Sequence, residues 1–135
     1  YVPVDTPKNN DSLVLRLCYG RHSFLLSGDV ERQIEWRMLD ANEVPRTDVL
    51  KVAHHGSRTS STEAFLNAVN PTFAVISAGF ENSYGHPNAD VIARLGDHHA
   101  GVFRTDQDGL VTIRSDGRRL TVETYRGSPG LMGVK

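Results

Sequence analysis

The chain has 135 residues, of which 39% are hydrophobic and 23% are charged, and its formal net charge is −1 at pH 7. This is enough chain for one domain with a real core, and the composition is ordinary for a soluble globular protein. Because there is no basic excess, the chain is not predicted to bind nucleic acid through charge alone, and no apolar stretch approaches the roughly 20 residues that cross a bilayer.

The first half of the chain predicts two strands and a helix. Residues 1–11 are rich in Pro, Asn and Asp, and we expect them to form an N-terminal loop. Leucines alternate with other residues over 12–18, which predicts a strand, and a hairpin turn leads into a second strand over 23–27. Apolar side chains then recur every four residues, which predicts a helix over 30–41. The single cysteine, Cys18, is predicted to be a small core residue of the first strand.

The second half continues the alternation of strands and helices. A short apolar run predicts a buried strand over 48–52, followed by a helix that Ser60 or Ser61 caps. Another apolar run predicts a buried strand over 73–77, followed by a loop and a short helix over 89–95. Three short strands are predicted near the end, at 102–104, 110–114 and 120–125. This order predicts an α/β fold with a mixed sheet and flanking helices.

Polar side chains suited to metal binding follow two of the predicted strands. Asp29 comes after the second strand, and His54 and His55 follow the third. In α/β folds the carboxyl ends of such strands meet at one crevice, where ligands bind. Carboxylates and imidazoles bind zinc or manganese, so these residues predict a metal site, although they are too few to hold a catalytic pair of ions. Taken alone, Asp29 is better explained as a helix N-cap.

The two histidines are adjacent, and this divides their roles. In an extended segment their side chains point in opposite directions. Both can serve one site only where the backbone turns sharply, a turn that Gly56 permits. We therefore predict that one histidine is a metal ligand and that the other is its neighbour or a proton donor. The alternative is a pair of ordinary loop histidines.

His86 is a further candidate, in the loop after the strand over 73–77. Gly85 and Pro87 fix the backbone on either side of it, so a stiff loop presents the imidazole. Taken alone it would be a surface histidine in a turn, but beside the other strand exits we predict a site residue. The remaining histidines lie in a hairpin turn and at a helix end, and are predicted to be solvated: His22, His98 and His99.

Substrate contacts are predicted at two places. Ser57 and Arg58 stand at the predicted start of a helix, where backbone N–H groups favour anions, so a phosphate is predicted to dock there. Plain helix capping explains the same residues about equally well. Asn82, in the loop that carries His86, is the other predicted contact.

Four segments together resemble the metallo-β-lactamase superfamily, namely 9–15, 25–29, 50–61 and 84–87. The closer resemblance is to the C-terminal domain of ComEC-type competence proteins, the membrane channels for DNA uptake in bacterial transformation. It runs from about Asn9 to Tyr125. It implies a layered αββα fold, of which residues 1–135 are the C-terminal portion, with an N-terminal loop over 1–11 and a loose tail over 127–135.

The resemblance implies roles for the candidate residues. Asp29 matches an aspartate that bridges two divalent ions, zinc or manganese, and His55 matches the last histidine ligand. His54 would then support the site or transfer a proton, although the two adjacent histidines could exchange roles. His86 matches a histidine near the site that is either a ligand or a substrate contact.

Two departures from the superfamily stand out. Its loop of the form His-x-His-x-Asp-His is absent, and we expect it to lie before Tyr1 in a longer parent protein. The histidine that many members carry before the first strand here is also missing, and residues 8–11 stand in its place, with Asn10 as a weaker oxygen donor. We therefore expect half of a dinuclear site and little or no activity from these 135 residues alone.

The function that the resemblance implies is metal-dependent hydrolysis, as a phosphodiesterase or nuclease that acts on DNA during competence-related uptake. Its expected partners are DNA, as a single or degraded strand, the membrane channel domain of the parent chain, and the missing N-terminal half of the domain. The parent is expected in the bacterial cell membrane, with this domain soluble and extracytoplasmic. The alternatives are a non-catalytic structural or nucleic-acid-binding module, and a stand-alone hydrolase of small phosphoesters or lactones.

Overall fold

The structure is a computed structural model that describes residues 8–127, and its centre is a five-stranded sheet in the order β1-β2-β3-β4-β5. The strands of this sheet are β1 (Leu15–Tyr19), β2 (His22–Leu26), β3 (Val49–Lys51), β4 (Phe73–Ile76) and β5 (Gly101–Arg104). The helices are α1 (Arg32–Asp40), α2 (Glu63–Val69), α3 (Ala89–Asp97) and the single turn α4 (Thr105–Asp108). A separate antiparallel hairpin consists of β6 (Val111–Ser115) and β7 (Leu120–Thr124).

The sheet is mixed, as predicted. β1 and β2 are antiparallel, whereas β2, β3, β4 and β5 are parallel to one another. The helices α1, α2 and α3 connect the parallel strands along the chain. This arrangement confirms the α/β prediction and brings the carboxyl ends of β2, β3 and β4 to one edge of the sheet.

Two hydrophobic clusters hold the layers together. The larger one joins one face of the sheet to α2 and α3, with Leu50, Ala74 and Ile76 of the sheet against Phe65 and Leu95. The smaller one joins the other face of the sheet to the β6–β7 hairpin: Val49, Phe73, Leu120 and Val122. Because apolar layers cover both faces of β3 and β4, the sequences of these strands are almost continuously apolar.

The prediction that Cys18 lies in the core is wrong, since its side chain is exposed. All five residues of β1 are exposed, because β1 is at the edge of the sheet in the described part of the chain. Leucine alternation therefore identified the strand without indicating burial. Apolar side chains of β1 that share one face, Leu15, Leu17 and Tyr19, remain about half exposed.

The prediction that His22 is solvated is also wrong. His22 is the first residue of β2 and is buried, and its Nδ1 lies 2.7 Å from Ser115 Oγ on the hairpin. The neighbouring Arg21 backbone N–H donates to the carbonyl of Gly117 at 2.8 Å. The turn between β1 and β2 is thus a docking point for the hairpin, a long-range contact that local sequence does not reveal.

The start of α2 differs from the predicted cap. Thr62 is the N-cap, and its side chain accepts from the Phe65 backbone N–H. The backbone N–H groups of Ser61 and Thr62 donate instead to the two carboxylate oxygens of Glu35, at 2.5 and 2.8 Å. Since Glu35 is fully buried, a carboxylate of the protein itself occupies the anion-favouring position at this helix start.

His98, predicted to be solvated, lies at the C-terminal end of α3 with its side chain only 11% exposed, and its Nε2 lies 2.9 Å from Glu63 Oε1. His99 is exposed, as predicted. Within residues 8–127, no helix is both long enough and apolar enough to span a membrane. Of the predicted N-terminal loop, 8–11 is described and contains one turn of 3-10 helix, Asn9–Asp11; residues 1–7 and 128–135 lie outside the described part.

Candidate metal and catalytic site

The loop after β3 turns sharply at the histidines themselves. His54 and His55 have φ values of +48° and +54°, and Gly56 follows with +80°. Left-handed conformations cost a non-glycine residue roughly 1–2 kcal/mol, so the surrounding structure must hold this turn in place. As a result the two rings do not point to opposite sides, and their centroids lie 6.5 Å apart.

Gly56 is required where it stands. A Cβ at this position would lie 2.5 Å from Cβ of Pro87, so the close approach of the His86 loop leaves no room for a side chain. The Gly56 carbonyl also accepts from the Asn88 backbone N–H at 2.9 Å. Gly56 therefore brings the loops after β3 and β4 together, in addition to permitting the turn.

The ring of His55 is held through one of its two nitrogens. Its Nδ1 lies 2.6 Å from the backbone carbonyl of Ser77, and since a carbonyl can only accept, Nδ1 carries the proton. Nε2 is left with a free lone pair and lies 3.8 Å from Oδ1 of Asp29. Metal-binding histidines are commonly held in this way, through a hydrogen bond from the ring nitrogen that does not ligate.

Asp29 is not a helix cap, because the N-cap of α1 is Glu31. Its backbone N–H donates to Ser12 Oγ at 3.1 Å, and the adjacent Gly28 carbonyl accepts from the His54 backbone N–H at 3.0 Å. Within the described residues its carboxylate accepts no hydrogen bond and points towards His55. The structure therefore removes the capping explanation and leaves the carboxylate open to solvent beside an imidazole nitrogen.

His54 lies deeper and has different partners. Its Nδ1 is 3.6 Å from Glu31 Oε1 and 3.5 Å from Thr59 Oγ1, and its Nε2 is 3.4 Å from Nδ2 of Asn9. Thr59 in turn donates to Glu31 at 3.0 Å. Glu31 was not among the predicted site residues, although an acidic residue two positions after Asp29 was an available signal.

Asn10, predicted as a weaker oxygen donor to a metal, is hydrogen-bonded to the backbone at the start of α1. Its Oδ1 accepts from the backbone N–H of Glu31 at 2.9 Å. The amide therefore fixes the start of α1 and, through it, the carboxylate beside His54.

The loop after β4 brings His86 to the same place. Its ring centroid lies 5.7 Å from that of His54, at an interplanar angle of 71°. Burial lowers the pKa of His86, and the neighbouring charges of His54 and His55 lower it further. On its other side, Tyr84 stacks on His86 with ring centroids 6.0 Å apart.

Asn82 braces this loop from within. Its Oδ1 accepts from the His86 backbone N–H at 3.0 Å, and its Nδ2 lies within donating distance of the carbonyls of Gly79 and His86, at 2.9 and 2.5 Å. Although it was predicted as a substrate contact, its amide is engaged with the loop. It holds the backbone that carries His86.

Ser57 and Arg58 separate in the structure. Ser57 is only 5% exposed, and its hydroxyl lies 3.0 Å from Thr59 Oγ1. Arg58 is exposed and, within residues 8–127, forms no hydrogen bond or ion pair with its guanidinium. The phosphate position predicted at the start of α2 is taken by Glu35, so Arg58 is the member of this pair that a phosphate can reach.

Two further features adjoin the site. A cavity of about 200 Å³ opens beside His55, lined by His55, Ala78, Gly79, Asn82, Tyr84 and His86. On the sheet, Lys51 is partly buried in largely apolar surroundings; this burial lowers its pKa, and the charge of Asp29 acts in the opposite direction.

The donors present fit part of a metal site. His55 offers an unprotonated nitrogen and Asp29 a carboxylate, which are suitable ligands for zinc or manganese. Among residues 8–127, no group of three or more His, Cys, Asp or Glu side chains is arranged to hold an ion. The ligand roles of Asp29 and His55 stay predictions.

Comparison with known proteins supports the resemblance. ComE operon protein 3 of Bacillus subtilis is 41% identical over 123 residues, which are 91% of this chain and 16% of that protein. Competence protein ComA of Neisseria gonorrhoeae is 39% identical over 104 residues, or 76% of this chain and 15% of that protein. Recombination protein 2 of Haemophilus influenzae is 36% identical over 118 residues, which are 87% of this chain and 15% of that protein.

The chain thus spans about one sixth of the length of these relatives. Their similarity confirms the predicted likeness to competence proteins of the ComEC type. The family model for the metallo-beta-lactamase superfamily matches residues 6–79, a range that includes Asp29, His54 and His55. On this match, which covers more than half of the sequence, the chain belongs to the metallo-β-lactamase superfamily.

Proposed function

We propose that this chain carries part of the active site of a metal-dependent hydrolase that cuts phosphodiester bonds in DNA. The observation that carries the proposal is the geometry of His55, whose Nδ1 is held by the Ser77 carbonyl while Nε2 faces Asp29 Oδ1 at 3.8 Å. An imidazole with its tautomer fixed, beside a carboxylate that accepts no hydrogen bond within residues 8–127, is suited to holding a divalent cation.

Asp29 and His55 are the proposed ligands, for zinc or manganese, with two ions in the intact domain. When bound, such ions polarise phosphoryl oxygens and make water acidic enough to attack near neutral pH. His54 or His86 donates a proton to the leaving oxygen, a role that suits imidazole. Arg58 contacts a phosphate, whereas Ser57 and Asn82 support the two loops.

The names of the relatives suggest the biological setting. One is called a competence protein and another a recombination protein. We infer that the parent protein lies in the bacterial cell membrane as a DNA-uptake channel and that this domain lies outside the cytoplasm. There, this chain and the preceding half of the same domain would together degrade one strand of the DNA.

The test uses the full-length protein, purified with Mn²⁺ or Zn²⁺, and measures metal content and cleavage of labelled DNA. Asp29→Asn is expected to reduce metal content and to slow cleavage by about 100-fold or more. Asp97→Asn, an exposed carboxylate at the end of α3, is the matched control and should leave both unchanged.

The two alternatives predict other outcomes. Less than an equivalent of metal, with DNA bound but never cut, would identify a non-catalytic module. Hydrolysis of small phosphodiesters or lactones without cleavage of DNA would identify a small-molecule hydrolase. Either result would overturn the proposal.

A further inference from the structure

Two aromatic side chains of the loop after β4 face solvent. Tyr84 is 81% exposed and Phe80 is 70% exposed. Single exposed apolar side chains are common and need no explanation. Tyr84 is different because it also lines the cavity that His55 and His86 line, so its ring stands at the mouth of the candidate site.

Within residues 8–127, the support for the Tyr84 ring is the ring of His86 on one face. Tyr84 stacks on His86 at an interplanar angle of 23°, with 6.0 Å between centroids. Asn82 holds the loop on both sides of Tyr84 through its bonds to Gly79 and His86. A ring that is held against a neighbour on one face, in a braced loop, presents its opposite face as a flat surface at little entropic cost.

The chemistry of the cavity favours a flat, aromatic occupant. Its walls are largely apolar, contributed in part by Ala78 and Gly79. The Asn82 amide, which could read the edge of a base, is engaged with the backbone. A site that offers a ring face and few free hydrogen-bonding groups suits stacking of any base rather than selection of one.

We propose that Tyr84, backed by His86, is a stacking platform for an unpaired nucleobase at the cavity that His55 and His86 line. The inference rests on the proposed function, and it specifies the substrate as single-stranded nucleic acid. A base inside a duplex has its faces covered, so only an unpaired or extruded base can reach the ring. Recognition is largely independent of base identity.

The experiment separates base stacking from phosphate binding. The full-length protein is titrated, in EDTA to prevent cleavage, with a labelled oligodeoxythymidylate and with an abasic oligonucleotide of the same length. The wild type is expected to bind the thymidylate more tightly. Tyr84→Ala should weaken binding of the thymidylate by roughly tenfold or more, and should leave binding of the abasic strand unchanged.

Two further variants act as controls. Tyr84→Phe keeps the ring and should keep the preference for the strand with bases. Tyr125→Ala removes an equally exposed tyrosine, 82% accessible and just after β7, and should change nothing. Because binding is measured without metal, loss of the base preference is distinct from a failure to hydrolyse DNA.

Three results would overturn the inference. The wild type could bind both strands equally, or Tyr84→Ala could weaken both alike. Alternatively, Tyr84→Ala could lower the melting temperature while leaving the ratio of the two affinities unchanged, which would identify Tyr84 as a contact to another protein segment.

Discussion

The loops after β3 and β4 meet at one edge of the sheet but are built in opposite ways. The loop after β3 holds its histidines in left-handed backbone conformations, with Ser57 buried beneath them. In the loop after β4, Tyr84 is exposed, and the side chain of Asn82 is hydrogen-bonded to the backbone of the same loop. A metal ligand needs a fixed position, whereas a substrate contact needs an open face, and under the proposed function the two loops would meet these needs separately.

Substitution of the histidines is expected to give the largest effect and tests this comparison between the two loops. His55→Ala should abolish metal retention and cleavage together. His86→Ala should retain the metal but slow cleavage by about 100-fold, the usual loss for a proton-transfer group. The measurement is metal content alongside the single-turnover rate, with the exposed His99→Ala as control. Loss of metal in His86→Ala would mean that the loop after β4 supplies a ligand, and the division between the loops would be wrong.

Three glycines test how tightly the loops are joined. Gly56→Ala combines a positive φ with a Cβ at 2.5 Å from Pro87, and should lower the free energy of unfolding by about 2–4 kcal/mol. Gly85→Ala has a positive φ but open space around it, and should cost about 1 kcal/mol. Gly96→Ala, within α3 and free of contacts, should stabilise by about 0.5–1 kcal/mol.

Chemical denaturation of the three variants measures this series. Equal losses for Gly56→Ala and Gly85→Ala would mean that the contact with Pro87 adds nothing and that only the backbone conformation matters.

The smallest effect concerns pH. The pKa of His86 lies below its ordinary value of 6.5, chiefly through burial, so the unfolded chain binds a proton more readily there. The contribution of this group to stability is therefore complete above about pH 6.5 and is lost as the pH falls through the lowered pKa. Unfolding measured against pH should show a shallower acid-side slope for His86→Gln. An unchanged slope would mean that the pKa of His86 is the same in the folded and the unfolded chain.

The sequence predicted the elements well because hydrophobic periodicity is a local signal. The strands at β3 and β4 and the positions of Asp29, His55 and His86 at strand exits all follow from short apolar runs. What could not be predicted depends on pairing over distance. Glu35 reaches the start of α2 from a helix 26 residues earlier in the chain, and Ser115 reaches His22 across 93 residues.

The errors at single residues have the same origin. Alternation in the first strand indicated its conformation, but only the order of strands reveals that β1 is at the edge and that Cys18 is exposed. The substrate contacts predicted for the Ser57 hydroxyl and the Asn82 amide stay predictions. The engagement of these two groups with Thr59 and His86 becomes visible only when the loops close.

The position of β1 has a practical consequence for handling the molecule. In the described part of the chain, its outer edge leaves backbone donors and acceptors without a neighbouring strand, and Leu15, Leu17 and Tyr19 lie exposed along one face. Such an edge is a template for strand addition between copies, a common route to aggregation. Where no further part of the domain covers this edge, we expect concentrated samples of these residues to associate along β1, and Leu17→Lys is the substitution best placed to keep them dispersed.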